Sequence, residues 1–283
     1  MDHAHPRAGI SPDALISPAA FVAPGARIAA GCRIGPGCVV DADCVLEEGV
    51  ELVAHVVLDG TVRLGAGVKV FPFATIGLPP QDLKYKGEPA GVMIGARTQV
   101  REHATIHRGS VGGDGWTKIG SDCLLMCVVH IGHDCRVGDQ VVLVNNVMLA
   151  GHVEVGDFAV LQGGVAVQQF VRIGRMALVS GMTGVERNVL PFGRVKGYRA
   201  KLAGINAIGM RRRLGLSKEQ VIAVARAVHE LYRGGRPEEQ AAAMAAAHAG
   251  NPLIAELLAF ARDRGKHGLC PFGRSTEDEE QEG

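Results

Sequence analysis

The sequence predicts an all-β parallel β-helix followed by a small α-helical domain. Two observations indicate this fold: aliphatic residues recur at every sixth position, and a small or β-branched residue follows most of them four positions later. A single hexad cannot bury its apolar residue, whereas stacked hexads bury the whole series, so the repeat is typical of a solenoid. With two interruptions, the aliphatic positions are Ile10, Ile16, Val22, Ile28, Ile34, Val40, Leu46, Leu52, Leu58, Leu64, Val70, Ile76; Ile94, Val100, Ile106; Ile119, Leu125, Ile131, Val137, Leu143, Leu149, Val155, Leu161, Val167, Ile173, Val179 and Val185.

The period also predicts the geometry of the coil. Each hexad forms one side of a triangle, so eighteen residues close a turn, and successive turns stack as parallel strands about 4.8 Å apart. Residues eighteen apart then share a column unless an insertion separates them. Such hexapeptide prisms resemble the left-handed parallel β-helix family, and the resemblance implies that handedness. We expect the prism to span 8–195, with loop excursions near 77–93 and 108–118.

A helical domain is predicted at 196–268, and an acidic, disordered tail at 269–283. Capping signals mark where three helices of the helical domain begin. They are the capping-box spacing of Ser217 and Gln220, Pro237 at the start of a helix, and Asn251 as an N-cap before a proline. The four predicted helices run from near Arg199 to Arg213, from Ser217 to about Arg233, from Pro237 through an alanine-rich stretch, and from Asn251 to Arg262.

Composition narrows the classes of function. No apolar run approaches the ~20 residues of a membrane span, and the first nine residues lack the features of a signal peptide, so we expect a cytoplasmic protein. The net charge is only +1 and basic residues are not interleaved with aromatic ones, which argues against nucleic-acid binding. The stretch from Arg187 to Lys218 contains no Asp or Glu and should attract anions.

One edge of the predicted prism combines groups suited to acyl transfer. Eighteen-residue steps place Gly151 one coil above His133, and His152 above Asp134, with Gln169 one coil further and His130 just before the corner. A histidine can take the proton of an attacking hydroxyl, and an exposed glycine N–H can stabilise the resulting oxyanion. No Ser or Cys pairs with a base, which favours direct attack without an acyl-enzyme.

Two other interpretations remain open at this point. His130, His133 and His152 could supply three nitrogens to zinc, as in the hexapeptide prisms of the gamma-class carbonic anhydrases, but their spacing does not reproduce that family's ligands. We therefore expect no metal and no cofactor. The other interpretation is a non-catalytic solenoid that acts as a scaffold.

Several segments resemble the bacterial UDP-N-acetylglucosamine 3-O-acyltransferases, which begin lipid A biosynthesis. The resemblance covers about residues 15 to 265 and implies a homotrimer with active sites between neighbouring prisms, using an acyl carrier protein as donor. A related N-acyltransferase of the same pathway is the alternative, disfavoured because it resembles a chain with an extra N-terminal domain. The segments are Gln81 to Tyr85 with Gly87 to Pro89, Thr105 to Gly109, Leu124 to Met126 with His130 to Cys135, Asn145-Asn146, Leu149 to Val153, and Gly204 to Asn206 with Gly209 to Arg213.

The resemblance assigns roles to residues of this chain. It implies that His133 is the general base, that Asp134 supports it and that the Gly151 N–H holds the oxyanion. Where the family has a histidine, this chain has Gln168, and Gly181, at the position that sets acyl length, suggests room for a longer chain. The resemblance further implies that the substrate-binding residues are Asp82, His130 and His152 around the sugar, Gln81, Lys84, His107 and Gln169 near the substrates, Asn206 and Arg213 at the uridine and diphosphate, and Arg212 toward the acyl carrier protein.

Overall fold

The computed structural model describes residues 9–273, which form a three-sided parallel β-helix capped by four helices. The first sheet contains β1 (Leu15–Ile16), β4 (Arg33–Ile34), β7 (Glu51–Leu52), β10 (Lys69–Val70), β13 (Gln99–Val100), β16 (Leu124–Leu125), β19 (Val142–Leu143), β22 (Val160–Leu161), β25 (Leu178–Val179), β27 (Gly193–Lys196) and β28 (Lys201–Ile205).

The second sheet carries one wall of the site described below, and the third closes the triangle. The second contains β2 (Phe21–Val22), β5 (Val39–Val40), β8 (Val57–Leu58), β11 (Thr75–Leu78), β14 (Thr105–His107), β17 (His130–Ile131), β20 (Met148–Leu149), β23 (Ala166–Val167) and β26 (Gly184–Val185). The third contains β3 (Arg27–Ile28), β6 (Val45–Leu46), β9 (Thr61–Leu64), β12 (Gly91–Ile94), β15 (Trp116–Ile119), β18 (Arg136–Val137), β21 (Glu154–Val155) and β24 (Arg172–Ile173).

Strand register shows the predicted eighteen-residue turn. Regular partners such as Arg136 and Glu154 are eighteen positions apart. The separation is larger where β11 pairs with β14, Thr75 opposite Thr105, and where β14 pairs with β17, Thr105 opposite His130. The extra residues form two loops, which we call the first excursion (79–90) and the second excursion (108–115). Both predicted interruptions are therefore loops, although their bounds are narrower than expected.

The interior of the prism is filled by the periodic aliphatic residues. All of them from Val22 to Val185 are buried, whereas Ile10 and Ile16, at the start of the described residues, are partly buried. At the corners, residues that include Asp134, His152 and Phe170 adopt positive φ near 60°. The corner conformation therefore recurs with the repeat and does not require glycine at each layer.

The helical domain begins later than the sequence predicted. Its helices are α1 (Ala207–Leu214), α2 (Lys218–Leu231), α3 (Pro237–Met244) and α4 (Pro252–Arg262), with the expected capping box at Ser217 and the expected N-cap at Asn251. The helix predicted from Arg199 is wrong in its first half, because Lys201–Ile205 is β28, antiparallel to β27. This hairpin buries Leu202 and closes the last coil.

The segment after α4 packs against the prism. Leu269 and Cys270 are buried, and Leu269 forms a β-bridge with Asn188, so 269–273 is not part of a disordered tail as predicted. The acidic residues 274–283 lie outside the described residues. None of the four helices within 9–273 combines the length and apolarity needed to cross a bilayer.

Candidate active site

A cleft of about 510 Å³ opens over the second sheet, beside the corner that joins the second and third sheets. The column predicted from eighteen-residue steps lies at this corner: the His152 N–H donates to the His133 carbonyl, and the Phe170 N–H to the Gly151 carbonyl. The predicted residues that line the cleft are Gln81, His107, His130, His133, Gly151 and Gln169.

His133 and Asp134 form a buried dyad at the centre of the site. The His133 Nδ1 lies 2.8 Å from Asp134 Oδ2, and only 9% of the imidazole surface is exposed. A carboxylate at this distance accepts a hydrogen bond from the Nδ1–H group, which leaves Nε2 with a free lone pair. The His133 Nε2 lies 4.0 Å from Asp82 Oδ2 of the first excursion. The imidazole is therefore oriented as a base whose acceptor nitrogen borders the cleft.

The Asp134 carboxylate is fixed by more than the imidazole. Ser110 donates its N–H to Oδ1 at 2.9 Å and its hydroxyl to Oδ2 at 2.7 Å, while the Asp134 N–H donates to Thr117 Oγ1 at 2.9 Å. Burial opposes ionisation, but hydrogen bonds from His133 and Ser110 outweigh it and lower the pKa of Asp134. The carboxyl group is therefore held in its charged form. The sequence interpretation missed both Ser110 and Thr117.

Gly151 places bare backbone directly against the base. A Cβ added to Gly151 would lie 2.4 Å from His133 Nε2, well inside van der Waals contact. Among the described residues the Gly151 N–H donates no hydrogen bond, and neither do the equivalent groups of His133 and Gln169. An unpaired N–H is thus common to this corner. Only the Gly151 layer combines it with a missing side chain above an imidazole.

The other histidines of the cluster are kept uncharged near neutral pH. Burial, with the nearby His130 and His133, lowers the pKa of His107 to about 4. Burial also lowers the pKa of His130, and it lowers that of His152 although the Asp134 carboxylate opposes the shift. These side chains therefore act as neutral hydrogen-bonding groups, and they add no positive charge that would disfavour protonation of the base.

A segment after α4 contacts the same corner from outside. The His152 ring stacks on Phe170 with centroids 4.5 Å apart, and Lys266 Nζ lies 3.1 Å from the centroid of Phe170. The imidazole of His267 bonds to the Gln169 carbonyl through Nε2 at 2.8 Å. The C-terminal segment thus holds the two layers above the dyad in place.

The groups that could bind a metal are already engaged with one another. Donor atoms of His133, Asp134 and His152 lie within 4.8 Å, the one such group of three among residues 9–273. However, the direct contact between His133 and Asp134 leaves no space for an ion between them, and Ser110 occupies both carboxylate oxygens. The geometry fits a hydrogen-bonded dyad better than a zinc site.

Other predicted binding residues lie away from this cleft. Arg213 donates to the Gln140 carbonyl at 3.4 Å, at the corner between the third and first sheets, and Arg212 is exposed. Asn206 is buried as the N-cap of α1, where Oδ1 accepts from Gly209 and Nδ2 donates to Met176. Gly181 is exposed at the opposite edge of the second sheet, and Lys84 is exposed on the first excursion.

This chain is similar to known proteins in both sequence and structure. The family model described as UDP-N-acetylglucosamine O-acyltransferase, domain 2, matches residues 188–270, and the bacterial transferase hexapeptide model matches 117–151. An acyl-[acyl-carrier-protein]–UDP-N-acetylglucosamine O-acyltransferase of Thermodesulfovibrio yellowstonii is 47% identical over 78% of this chain and 86% of its own. The protein of the same name from Azorhizobium caulinodans is 46% identical over 81% and 85%.

The chain belongs to this family of acyltransferases. The solved UDP-N-acetylglucosamine acyltransferase of Campylobacter jejuni has a TM-score of 0.86 at 33% identity, and the match covers 92% of this chain and all of that one. The family membership confirms the resemblance inferred from the motifs. It also confirms the fold as a left-handed parallel β-helix with C-terminal helices. The roles of individual residues remain predictions.

Proposed function

We propose that this protein transfers an acyl group from an acyl carrier protein thioester to the 3-hydroxyl of UDP-N-acetylglucosamine, the first step of lipid A biosynthesis. The observation that carries the proposal is the layer in which the His133 Nε2 meets the bare backbone of Gly151 at the edge of a cleft. The names of the related proteins supply the two substrates.

In the proposed mechanism, His133 Nε2 takes the proton of the sugar hydroxyl while the oxygen attacks the thioester carbonyl. The Gly151 N–H stabilises the tetrahedral oxyanion. Asp134, ionised and hydrogen-bonded to Nδ1, stabilises the imidazolium that forms. Collapse of the intermediate breaks the carbon–sulfur bond, and the imidazolium returns its proton to the departing thiolate. Four side chains position the sugar in this mechanism. Asp82 accepts hydrogen bonds, and the uncharged imidazoles are those of His107, His130 and His152.

The second sheet offers a path for the acyl chain. Its outward residues in successive coils are His130, Met148, Ala166 and Gly184, so the side chains become small after Met148 and leave a trough above the histidine cluster. Four strands span about 14 Å at ~4.8 Å spacing. The trough ends where Gly184 donates to the Tyr198 carbonyl, in the turn between β27 and β28. We assign this trough to the acyl chain, with Gly181 at its upper border.

The positions of the basic residues support a homotrimer. Arg212 and Arg213 lie away from the cleft of their own chain, so they could reach nucleotide or carrier protein only at a neighbour's cleft. We therefore propose that threefold assembly brings these two arginines to the diphosphate and to the acidic donor. Asn206 contributes less directly in this proposal, because capping α1 already engages its amide.

A cytoplasmic location is the remaining part of the proposal. All seven cysteines are free thiols, and six of them are buried as small apolar groups. Unpaired cysteines are typical of a reducing compartment. The location also follows from the expected donor and acceptor.

Incubation of the protein with UDP-N-acetylglucosamine and a panel of acyl carrier protein thioesters, read by mass spectrometry, tests the proposal. We expect a product carrying one O-linked acyl group, and a loss of at least ~10²-fold in kcat for His133→Ala. The matched control is His103→Ala, which removes an imidazole from a different corner. Unchanged turnover in His133→Ala, or acylation of a 3-amino analogue alone, would contradict the proposal.

A further inference from the structure

The second excursion lies against Asp134 and contributes to the dyad. We propose that Ser110, at the base of this loop, is a positioning residue for the acyl-transfer reaction: by clamping the Asp134 carboxylate it holds the His133 imidazole in its working orientation. The proposal deepens the function proposed above and rests on it. None of the motifs that carry the family resemblance includes Ser110.

All polar groups of Ser110 are hydrogen-bonded, and two of them contact Asp134. Its N–H and hydroxyl donate to the two carboxylate oxygens of Asp134, at 2.9 and 2.7 Å. Its Oγ also accepts from the Gly112 N–H at 3.2 Å, so the hydroxyl proton is directed toward the carboxylate. The Ser110 carbonyl accepts from Gly113 and Gly115, which closes the loop on the serine.

Glycines allow the loop to press on the carboxylate. A Cβ at Gly113 would lie 2.3 Å from Asp134 Oδ1, and one at Gly109 would lie 2.3 Å from the backbone of Gly115. A side chain at Gly113 would push the loop away from the carboxylate, and one at Gly109 would clash with the backbone that closes the loop. The close fit indicates that the loop is shaped to hold Asp134.

The base of the loop is anchored independently of the site. Arg108 donates Nε to the Gly77 carbonyl at 2.5 Å and forms an ion pair with Asp59. The Gly109 N–H donates to the Gly91 carbonyl at 3.2 Å. The backbone that leads into Ser110 is therefore fixed, as the role of a positioning residue requires.

The clamp has a chemical consequence because Ser110 Oγ and His133 Nδ1 share one oxygen, Asp134 Oδ2. Removing the hydroxyl leaves that oxygen with one donor fewer, so the carboxylate turns more freely and binds a proton more strongly. The base is then less well oriented while the cleft itself is unchanged. We expect kcat to fall and the KM for the sugar nucleotide to stay the same.

The test compares Ser110→Ala with Ser110→Thr, which keeps the hydroxyl, and with Ser121→Ala as a control on a neighbouring corner. We expect Ser110→Ala to lose about 10-fold in kcat with KM unchanged, and the acid limb of its kcat/KM profile to move to higher pH, because the dyad then holds a proton more strongly. Ser110→Thr should restore both, and Ser121→Ala should match wild type. A merely structural role would move thermal stability without this pattern.

Coupling to Asp134 separates the clamp from other effects. In an Asp134→Asn background, Ser110→Ala should have little further effect on kcat, since its partner charge is gone. Full additivity of the two losses, or a wild-type kcat and pH profile in Ser110→Ala, would overturn the proposal.

One readout needs no turnover and so distinguishes this proposal from the proposed function. The Ser110 bonds help to lower the pKa of Asp134, so the stability that the ionised carboxylate contributes is lost only as pH falls through that lowered value. Ser110→Ala should move the midpoint of acid unfolding to higher pH, and should not do so in Asp134→Asn. An unmoved midpoint would refute the clamp even if wild-type acyl transfer were observed; a moved midpoint without transfer would refute only the assigned reaction.

Discussion

Replacing Gly151 with alanine tests the central geometric claim about the site. The backbone of Gly151 is not in the left-handed region, so alanine is conformationally acceptable there, and the only new element is a methyl group 2.4 Å from His133 Nε2. Ordinary contact begins near 3.4 Å, so the imidazole has to retreat by about 1 Å. Its bond to Asp134 prevents an easy retreat.

A displacement of this size at a catalytic base costs on the order of 10²-fold in rate, equivalent to about 2.7 kcal/mol of transition-state stabilisation. We therefore expect Gly151→Ala to lower kcat by about 100-fold. The assay is steady-state transfer from an acyl carrier protein thioester, with circular dichroism to show that the variant is folded.

Gly163→Ala is the matched control for this substitution. Gly163 occupies the same hexad position two sides further along the coil, and its added Cβ would meet only ordinary contacts at 3.4 Å and beyond. We expect wild-type activity and comparable stability. If folded Gly151→Ala keeps kcat within about threefold of wild type, the imidazole does not act where the structure places it.

Three further predictions concern pH, stability and acyl length. Because the pKa of His107 is lowered to about 4 from 6.5, stability should decline as pH falls from 6.5 toward 4, by roughly 3 kcal/mol, and His107→Gln should show a shallower decline in denaturant titrations. The buried hydroxyl of Thr183 has no hydrogen-bond partner within residues 9–273, so Thr183→Val should raise the free energy of unfolding by about 1 kcal/mol, and a lower value would contradict this account. Gly181→Met should shift products toward shorter acyl chains in a mixed-donor assay; a wild-type preference for ten-carbon chains would contradict the room we assign there.

The parts of the site that the sequence could predict are those that follow the eighteen-residue step. The step places Gly151 over His133 and His152 over Asp134 without any knowledge of side-chain packing, and hydrogen bonds between those layers show the same stacking. The prediction works because parallel strands in a regular coil keep their register.

The parts that could not be predicted lie where the step breaks. Ser110 and Thr117 contact Asp134 only because of the second excursion. The eighteen-residue step cannot be applied across an insertion whose path is unknown. The strand Lys201–Ile205 was missed for a different reason: the three-residue spacing of Leu202 and Ile205 is that of a helix face. Tertiary contact with β27 makes the segment a strand instead.

These breaks explain why one layer of this corner differs from the rest of a uniform coil and has the geometry that the proposed mechanism needs. Thr105 pairs with His130, so the coil below the dyad continues into the second excursion instead of a regular corner, and that loop supplies Ser110. Above the dyad, Gly151 removes the side chain that would otherwise fill the space over the imidazole. In a regular layer, a side chain from the next coil would cover the base, and no loop would reach the carboxylate. The repeat therefore supplies the spacing, and the two departures from it open the site.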